Sequence, residues 1–203
     1  MPVIPELEVI RRSQILEAAL VTISERGYAN VTMDHICKAA KMSKGGLAHY
    51  FKSKNEVFQA AFEEFFKRIF ERSRETMKAN EDPIEQVLSF NWLYDVNDPD
   101  AMLGYPLLLD CMSIAVHQPN YGKLFHEWVE NWIRLLKGAL DTAVQSGQLD
   151  LLDSDSMART ISAIYHGIAI RWYLDPESHS SEWAIESFQK AISGLLTPYL
   201  KPA

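Results

Sequence analysis

Residues 32–51 decide the fold: Thr32-Met33-Asp34-His35-Ile36-Cys37-Lys38-Ala39-Ala40-Lys41-Met42-Ser43-Lys44-Gly45-Gly46-Leu47-Ala48-His49-Tyr50-Phe51. Met33, Ile36, Cys37 and Ala40 recur at three- and four-residue spacing, an apolar stripe of about two helical turns. Thr32 stands just before it, where its hydroxyl can accept a free backbone N–H of the first turn. Ser43 is a second N-cap of the same kind and opens a helix over Lys44–Phe51. Only Lys41-Met42 separates the two. Two short helices and a tight turn describe a helix-turn-helix. In that motif the second helix lies in the major groove of DNA with its N-terminal end near base edges, so bulky apolar side chains are excluded from its outer face. Lys44-Gly45-Gly46 meets the demand with one long cation beside two residues that have no side chain. Leu47 and Phe51 keep the inner face apolar, while His49 and Tyr50 point outward towards a phosphate or a base. Each glycine costs a helix ~1 kcal/mol relative to alanine, which fits a need for close backbone approach. The competing reading makes Gly45-Gly46 merely a loop.

Working outward, charge separates the same stretch from the rest. Residues 1–60 carry eight Lys/Arg against six Asp/Glu, a net of +2, and residues 61–203 carry twelve against twenty-one, a net of −9. Between His35 and Asn55 there are five lysines, at 38, 41, 44, 52 and 54, and no acid. A basic head on an acidic body predicts a head that meets phosphates; a solvated face on an ordinary helical domain is the plainer alternative. The chain has 203 residues with 47% hydrophobic and 23% charged, which suits a folded protein with a sizeable core. Cys37 and Cys111 form no CxxC pair, which excludes a disulfide framework or zinc finger. No clean apolar run is long enough to span a membrane; Ala101–Val116 is interrupted by Pro106 and Asp110. The Pro2–Pro5 lead has no apolar core, so no signal peptide and a cytoplasmic location are expected. HExxH, GxSxG and phosphate-cradling glycine loops are missing, and no metal or cofactor is expected.

The periodicity is helical almost throughout, and an all-α fold of about nine helices follows. The first runs from about Glu8 to Arg26, with Gly27 as the left-handed residue that ends it. A long helix follows Ser53 to about Lys78 with Val57, Phe58, Phe62, Phe65 and Ile69 inward. Pro83 starts one that carries Val87, Leu88 and Trp92; Asn97-Asp98-Pro99 opens one through Val116; another runs from about Tyr121 to Ser146. The last two are Met157–Leu174 and Trp183–Leu200.

Arg11 to Phe58 resembles the TetR-type DNA-binding domain of bacterial transcriptional regulators. The resemblance rests on Ile15-Leu16, Ala18-Ala19, Gly27-Tyr28, Val31-Thr32-Met33, Ile36–Ala40, Ser43-Lys44-Gly45, Leu47, Tyr50-Phe51, Ser53-Lys54 and Val57-Phe58. It implies a DNA-binding domain over 1–55 and a ligand-binding and dimerisation domain over 56–203. It implies roles too: Thr32 presenting hydroxyl and amide to a phosphate, Lys44 reaching the groove, Tyr50 and Lys54 touching backbone phosphates. Gly45, Gly46 and His49 complete the expected DNA-binding set. The chain departs from the family pattern at Lys41, where the turn usually carries glycine, and at Gly46 and Ala48. Residues about 99–176 resemble the C-terminal domain of the BetI-like branch through Asp110, Gln118-Pro119, Trp128, Trp132 and Arg171-Trp172 with Leu174-Asp175-Pro176.

In the body, Trp92, Tyr105, Asp110, Met112, Trp128, Trp132 and Tyr165 are the candidate ligand-binding residues. Trp128 and Trp132 share a helix face, and Asp110 sits among Leu107, Leu108, Leu109, Cys111 and Met112. A carboxylate on an apolar helix snorkels, pairs with arginine or faces a ligand. Aromatics with a carboxylate suit a cationic ligand; aromatic stripes at helical spacing are more often core than pocket. His166 reads as a core or interface histidine. Ile161, Ile164, Ile168 and Trp172 on one helix, and Phe188, Ile192 and Leu195 on the next, form the expected homodimer face. The resulting expectation is a homodimeric repressor on a pseudo-palindromic operator, released by a small-molecule inducer. The alternatives are the same fold answering to a protein partner or to no ligand, and a small helical enzyme using Asp110 or His166.

Overall fold

A computed structural model of the chain describes residues 5–150 and 153–201. Residues 1–4, on which much of the signal-peptide reading rests, lie outside them. Among the described residues there are nine α-helices: α1 (Pro5–Arg26), α2 (Met33–Ala39), α3 (Lys44–Tyr50), α4 (Lys54–Lys78), α5 (Pro83–Leu88), α6 (Pro99–Ala115), α7 (Pro119–Gln145), α8 (Ser154–Leu174) and α9 (Ser181–Leu196). Single 3-10 turns occupy Tyr28–Asn30, Asn91–Tyr94 and Thr197–Tyr199. The only pairing of strand type among these residues is an isolated antiparallel bridge between Leu149 and Leu200.

The boundaries differ from the sequence reading where proline chemistry intervenes. Pro119 starts α7 instead of breaking the chain ahead of it, because the first helical position needs no N–H. Helix α9 stops at Leu196, short of Leu200, because Pro198 has no N–H to continue the helical hydrogen bonding, and the chain passes into a 3-10 turn although Thr197 itself keeps helical angles. Trp92 lies outside α5, in the 3-10 turn that follows. Gly27 does end α1, but at φ 74° and ψ 145°, a region only glycine enters cheaply, and not in the left-handed helical conformation.

Local capping explains the helix-turn-helix. The His35 N–H donates to Thr32 Oγ1 and the Thr32 N–H donates to His35 Nδ1, both at 3.3 Å, a reciprocal capping box. Ser43 Oγ accepts from the Gly46 N–H at 3.1 Å. Between them, α2 closes with a Schellman motif: the Met42 N–H reaches Cys37 O at 2.9 Å and the Lys41 N–H reaches Lys38 O at 3.2 Å. The motif forces Lys41 to φ 52°, and it is the only non-glycine residue with positive φ among the described residues. Left-handed geometry costs an L-residue roughly 1–2 kcal/mol. At the end of α7, Gly147 (φ 79°) occupies the corresponding place in a second Schellman motif.

The chain packs as two units whose limits differ from a division at residue 55. The first contains the residues up to Arg68 and Met102–Phe125; the second contains Ile69–Ala101 and the chain from His126 onward. Helices α4, α6 and α7 each contribute to both. In the first unit Ile15, Ala19, Ile23, Ile36, Leu47 and Phe51 are fully buried, so the apolar stripes read from sequence are its core. Phe58 extends that core along α4, with Tyr28 at 4.2 Å and Phe62 at 4.2 Å between ring centroids. Gly104 of α6 sits against Phe65, where a Cβ would lie 2.8 Å from Cζ, so any larger residue would force the Phe65 ring to shift.

The second unit is centred on rings. Tyr165 of α8 lies 4.4 Å from Phe188 of α9 and 5.5 Å from Phe90 between centroids, and Trp132 of α7 lies 5.0 Å from Phe90. Tyr165 Oη donates to Val87 O at 2.8 Å, and Trp172 Nε1 donates to Ser181 Oγ at 3.1 Å. This packing alters the expected dimer face. Ile161, Trp172, Phe188 and Ile192 are buried inside the chain, where α8 and α9 meet each other. Ile164, Ile168 and Leu195 remain half-buried. Periodicity marks a stripe as apolar but does not say whether it faces its own chain or another.

Candidate nucleic-acid interface and aromatic body

Helix α3 carries its outer face without cover. Lys44, Gly45, Ala48 and His49 are exposed, Gly46 and Tyr50 are half-buried, and Leu47 is fully buried beneath. A Cβ added at Gly45 would meet nothing within 4 Å. One at Gly46 would crowd Ser43 Oγ at 3.3 Å, the oxygen that caps the helix. Lys44 Nζ pairs with Asp34 at 2.7 Å, but the lysine side chain is 76% exposed, so the pair is readily exchanged for another anion. His49 Nε2 stands 3.7 Å from Glu8 and its ring meets Tyr50 edge-on at 5.2 Å. Thr32 is exposed at the start of α2. The face therefore presents an exposed lysine, a bare backbone and a helix N-terminus together, which is the requirement for seating in a groove between phosphates.

Lys54 sits apart from that exposed set. Its Nζ donates to Tyr28 O at 2.8 Å and lies 4.1 Å from the centre of the Tyr28 ring. The Tyr28 N–H in turn donates to Asp110 Oδ2 at 2.7 Å. Burial raises the Asp110 carboxyl above its ordinary range, opposed by the Tyr28 N–H and by the nearby Lys54 charge. Tyr121 Oη, at the start of α7, donates to Asn55 Oδ1 at 2.7 Å. Tyr28, Lys54, Asn55, Asp110 and Tyr121 thus tie the 3-10 turn after α1, the start of α4, α6 and the start of α7 into one polar cluster of the first unit. Nothing in the spacing pairs Asp110 with a residue 82 positions away; the lone carboxylate on an apolar helix says only that a partner is required.

The candidate ligand residues fall into two sets. Tyr105, Asp110 and Met112 belong to the first unit; Trp92, Trp128, Trp132 and Tyr165 belong to the second. Asp110 is engaged with the Tyr28 amide, so the expected pairing of this carboxylate with a cationic ligand has a competing protein donor. Tyr105 is buried, which raises its hydroxyl pKa well above the ordinary value. In the second set Trp128 faces His166 at 5.0 Å, and His166 Nδ1 lies 2.7 Å from Ser162 O, so that nitrogen carries the proton. Burial lowers the His166 pKa and the Ser162 carbonyl opposes it, leaving the ring neutral near pH 7. Trp132 is 5% exposed and its Nε1–H meets no acceptor among the described residues. An open groove of about 270 Å³ between the end of α4, α5 and α7 is lined by Arg74, Met77, Lys78, Gln86, Arg134 and neighbours, and by none of the candidate ligand residues.

Sequence reasoning also missed an ion-pair cluster. Arg72 of α4 binds Asp98 through both guanidinium nitrogens, Nη1 to Oδ1 at 2.9 Å, and binds Asp100 at 3.0 Å. Its guanidinium carbon lies 3.9 Å from the centre of the Trp92 ring. Asp98 Oδ1 also caps α6 by accepting the Asp100 and Ala101 N–H groups, each at 3.0 Å. Burial works to raise the Asp98 pKa, yet Arg72 and those amides together hold it below the usual carboxylate range. The capping run Asn97-Asp98-Pro99-Asp100 was readable; its arginine, 26 positions earlier, was not.

Residues 15–61 match the family model of bacterial regulatory proteins of the tetR family, and residues 95–197 match that of the BetI-type transcriptional repressor C-terminal domain. The HTH-type transcriptional regulator BetI of Stenotrophomonas maltophilia is 30% identical over 122 residues, 58% of this chain and 61% of that protein. The BetI of Cronobacter sakazakii is 28% identical over 124 residues, 58% of this chain and 59% of that protein. The matches therefore span about three fifths of the length of these two relatives. A transcriptional regulator from Saccharomonospora viridis, solved in complex with choline, shares the fold with a TM-score of 0.83 at 20% identity, covering 94% of this chain and 98% of that one. These relatives are transcriptional regulators and not enzymes, and with its helix-turn-helix and its BetI-type C-terminal part, this chain belongs to the TetR family of bacterial transcriptional regulators.

Proposed function

We propose that the protein is a homodimeric repressor that binds a pseudo-palindromic operator and is released by a small-molecule inducer held among the aromatic residues of the second unit. The observation that carries the DNA reading is the uncovered outer face of α3, where Lys44 and His49 flank a Gly45 with free space around it. Lys44, Gly45, Gly46 and His49 enter the groove, and Thr32 and Tyr50 hold flanking phosphates. Lys54 acts one step back: it fixes Tyr28 and the start of α4 beneath that face.

Dimerisation uses what remains open on α8 and α9. Ile164, Ile168 and Leu195 are half-buried, Leu174 is 61% exposed, and Ala163, Ala191 and Gly194 beside them allow close helix approach. On a pseudo-palindromic operator the two half-sites read by such a dimer lie roughly 34–36 Å apart, one turn of DNA. In the inducer site Trp92, Trp128, Trp132 and Tyr165 supply apolar area, and the unsatisfied Trp132 Nε1–H favours a ligand with a hydrogen-bond acceptor. The inducer acts by binding the DNA-incompetent arrangement more tightly than the competent one. The test is nuclease footprinting on DNA upstream of the gene, with sedimentation equilibrium on the same sample. A protected site with two-fold symmetry and a dimeric mass are expected. A monomer, or binding that disappears near physiological salt without a protected site, contradicts the reading.

A further inference from the structure

Lys41 holds a position at which the chain's own alternative is glycine. The Schellman motif that closes α2 requires positive φ, and the corresponding motif at the end of α7 is filled by Gly147. Lys41 meets the requirement at φ 52° with a full side chain. Backbone conformations that resist their residue persist where the surroundings or a function demand them. No packing role explains it: Lys41 is exposed, and its ammonium meets no carboxylate or carbonyl among the described residues. Three of the other lysines of this stretch are engaged, Lys44 by Asp34, Lys52 by Ala48 O and Lys54 by Tyr28 O. Lys41 also stands two residues before Ser43, the N-cap of α3. The chain entering a groove-bound helix passes one of the phosphate strands that border the groove, and two residues span at most roughly 7 Å.

We propose that Lys41 is a DNA-backbone contact, a cation placed in the turn itself to bind a phosphate at the edge of the groove that receives α3. This rests on the assignment of α3 as the groove helix. The contact carries no sequence information; it anchors the register of the N-terminal end of α3.

The test uses the full chain and a random-sequence 30-bp duplex, since a phosphate contact weakens binding evenly across sequences. Thermal midpoint and affinity over a salt series are measured for wild type, Lys41→Gly, Lys41→Arg and Lys44→Ala. Lys41→Gly is expected to raise the midpoint by relieving the turn while weakening DNA binding about 5- to 10-fold at low salt and reducing the salt slope by about 0.9 per protomer, about 1.8 for the dimer. Lys41→Arg keeps both properties near wild type. A Lys41→Gly protein with unchanged affinity and slope, beside a weakened Lys44→Ala, overturns the proposal and leaves the α3 assignment standing. A lowered midpoint in Lys41→Gly also overturns it, because the turn would then favour lysine on stability alone. Unchanged binding in both Lys41→Gly and Lys44→Ala removes the α3 assignment itself.

Discussion

The face of α2 and α3 and the aromatic interior of the second unit treat side chains in opposite ways. On the face, groups are left without cover: a Cβ at Gly45 would meet nothing within 4 Å, Lys44 is held only by an exposed ion pair, and Lys41 accepts an unfavourable backbone. In the interior, rings are in mutual contact, with Tyr165 touching Phe188, Phe90 and Trp132 and donating to Val87 O. Packing accounts for these ring contacts, whereas it accounts for little on the face. What the fold does not need on α3 is what the proposed DNA contact would use.

The largest effect that can break this comparison lies at Phe188. It was a candidate for the dimer face, yet it is fully buried among Tyr165 and Tyr94. Phe188→Ala should cost about 3–5 kcal/mol in chemical denaturation. Ile168→Glu, on the half-buried surface of α8, should instead shift sedimentation from dimer to monomer with helicity retained. If Phe188→Ala separates the dimer at unchanged protomer stability, the assignment of core and interface is reversed.

Arg72→Met comes next. It strands Asp98 and Asp100, of which Asp98 is only 10% exposed, and should destabilise by about 2–3 kcal/mol, measured by urea unfolding. The sign with pH follows from Asp98. Its folded pKa is depressed below the unfolded value near 3.8, so its contribution is full above that value and is lost as pH falls through the folded pKa. Acid unfolding of Arg72→Met should accordingly begin at a higher pH than that of wild type.

Asp110→Ala should cost about 1–2 kcal/mol, because it leaves the Tyr28 N–H without its acceptor. An inducer titration on the same variant then sharpens the division between regions. If ligand response survives at full amplitude, Asp110 serves the first unit and not the ligand.

The smallest effect is at His166. Its folded pKa is lowered from 6.5, so the folded protein binds fewer protons than the unfolded chain just below that pH. Stability should therefore decline as pH falls below about 6.5, and His166→Gln should flatten that decline in a thermal-midpoint profile.

The head was legible because groove binding imposes residue types at fixed places. Thr32 and Ser43 cap as the sequence indicates, Leu47 and Phe51 turn inward, and Lys44 and Gly45 are exposed. Lys54 was less legible: the family resemblance implied a phosphate contact, and only the fold brings the Tyr28 carbonyl to it. The body was legible as helices but not as a site. Trp128 and Trp132 share a face whether they line a ligand or fill a core, and the partners of Asp110 and Asp98 lie 82 and 26 positions away. Apolar stripes on α8 and α9 likewise carry no label for intramolecular or intermolecular burial.

The central claim, that the bare outer face of α3 is shaped by DNA and not by the fold, is tested most directly at Gly45. Gly45→Leu adds a side chain where the free protein has open space. Its thermal midpoint and its affinity for the footprinted duplex are to be measured together. The account predicts a midpoint at or slightly above wild type, since leucine favours a helix over glycine by up to about 1 kcal/mol, with duplex binding weakened at least about 30-fold, a loss of ~2 kcal/mol. A Gly45→Leu protein that binds the duplex as tightly as wild type would contradict it.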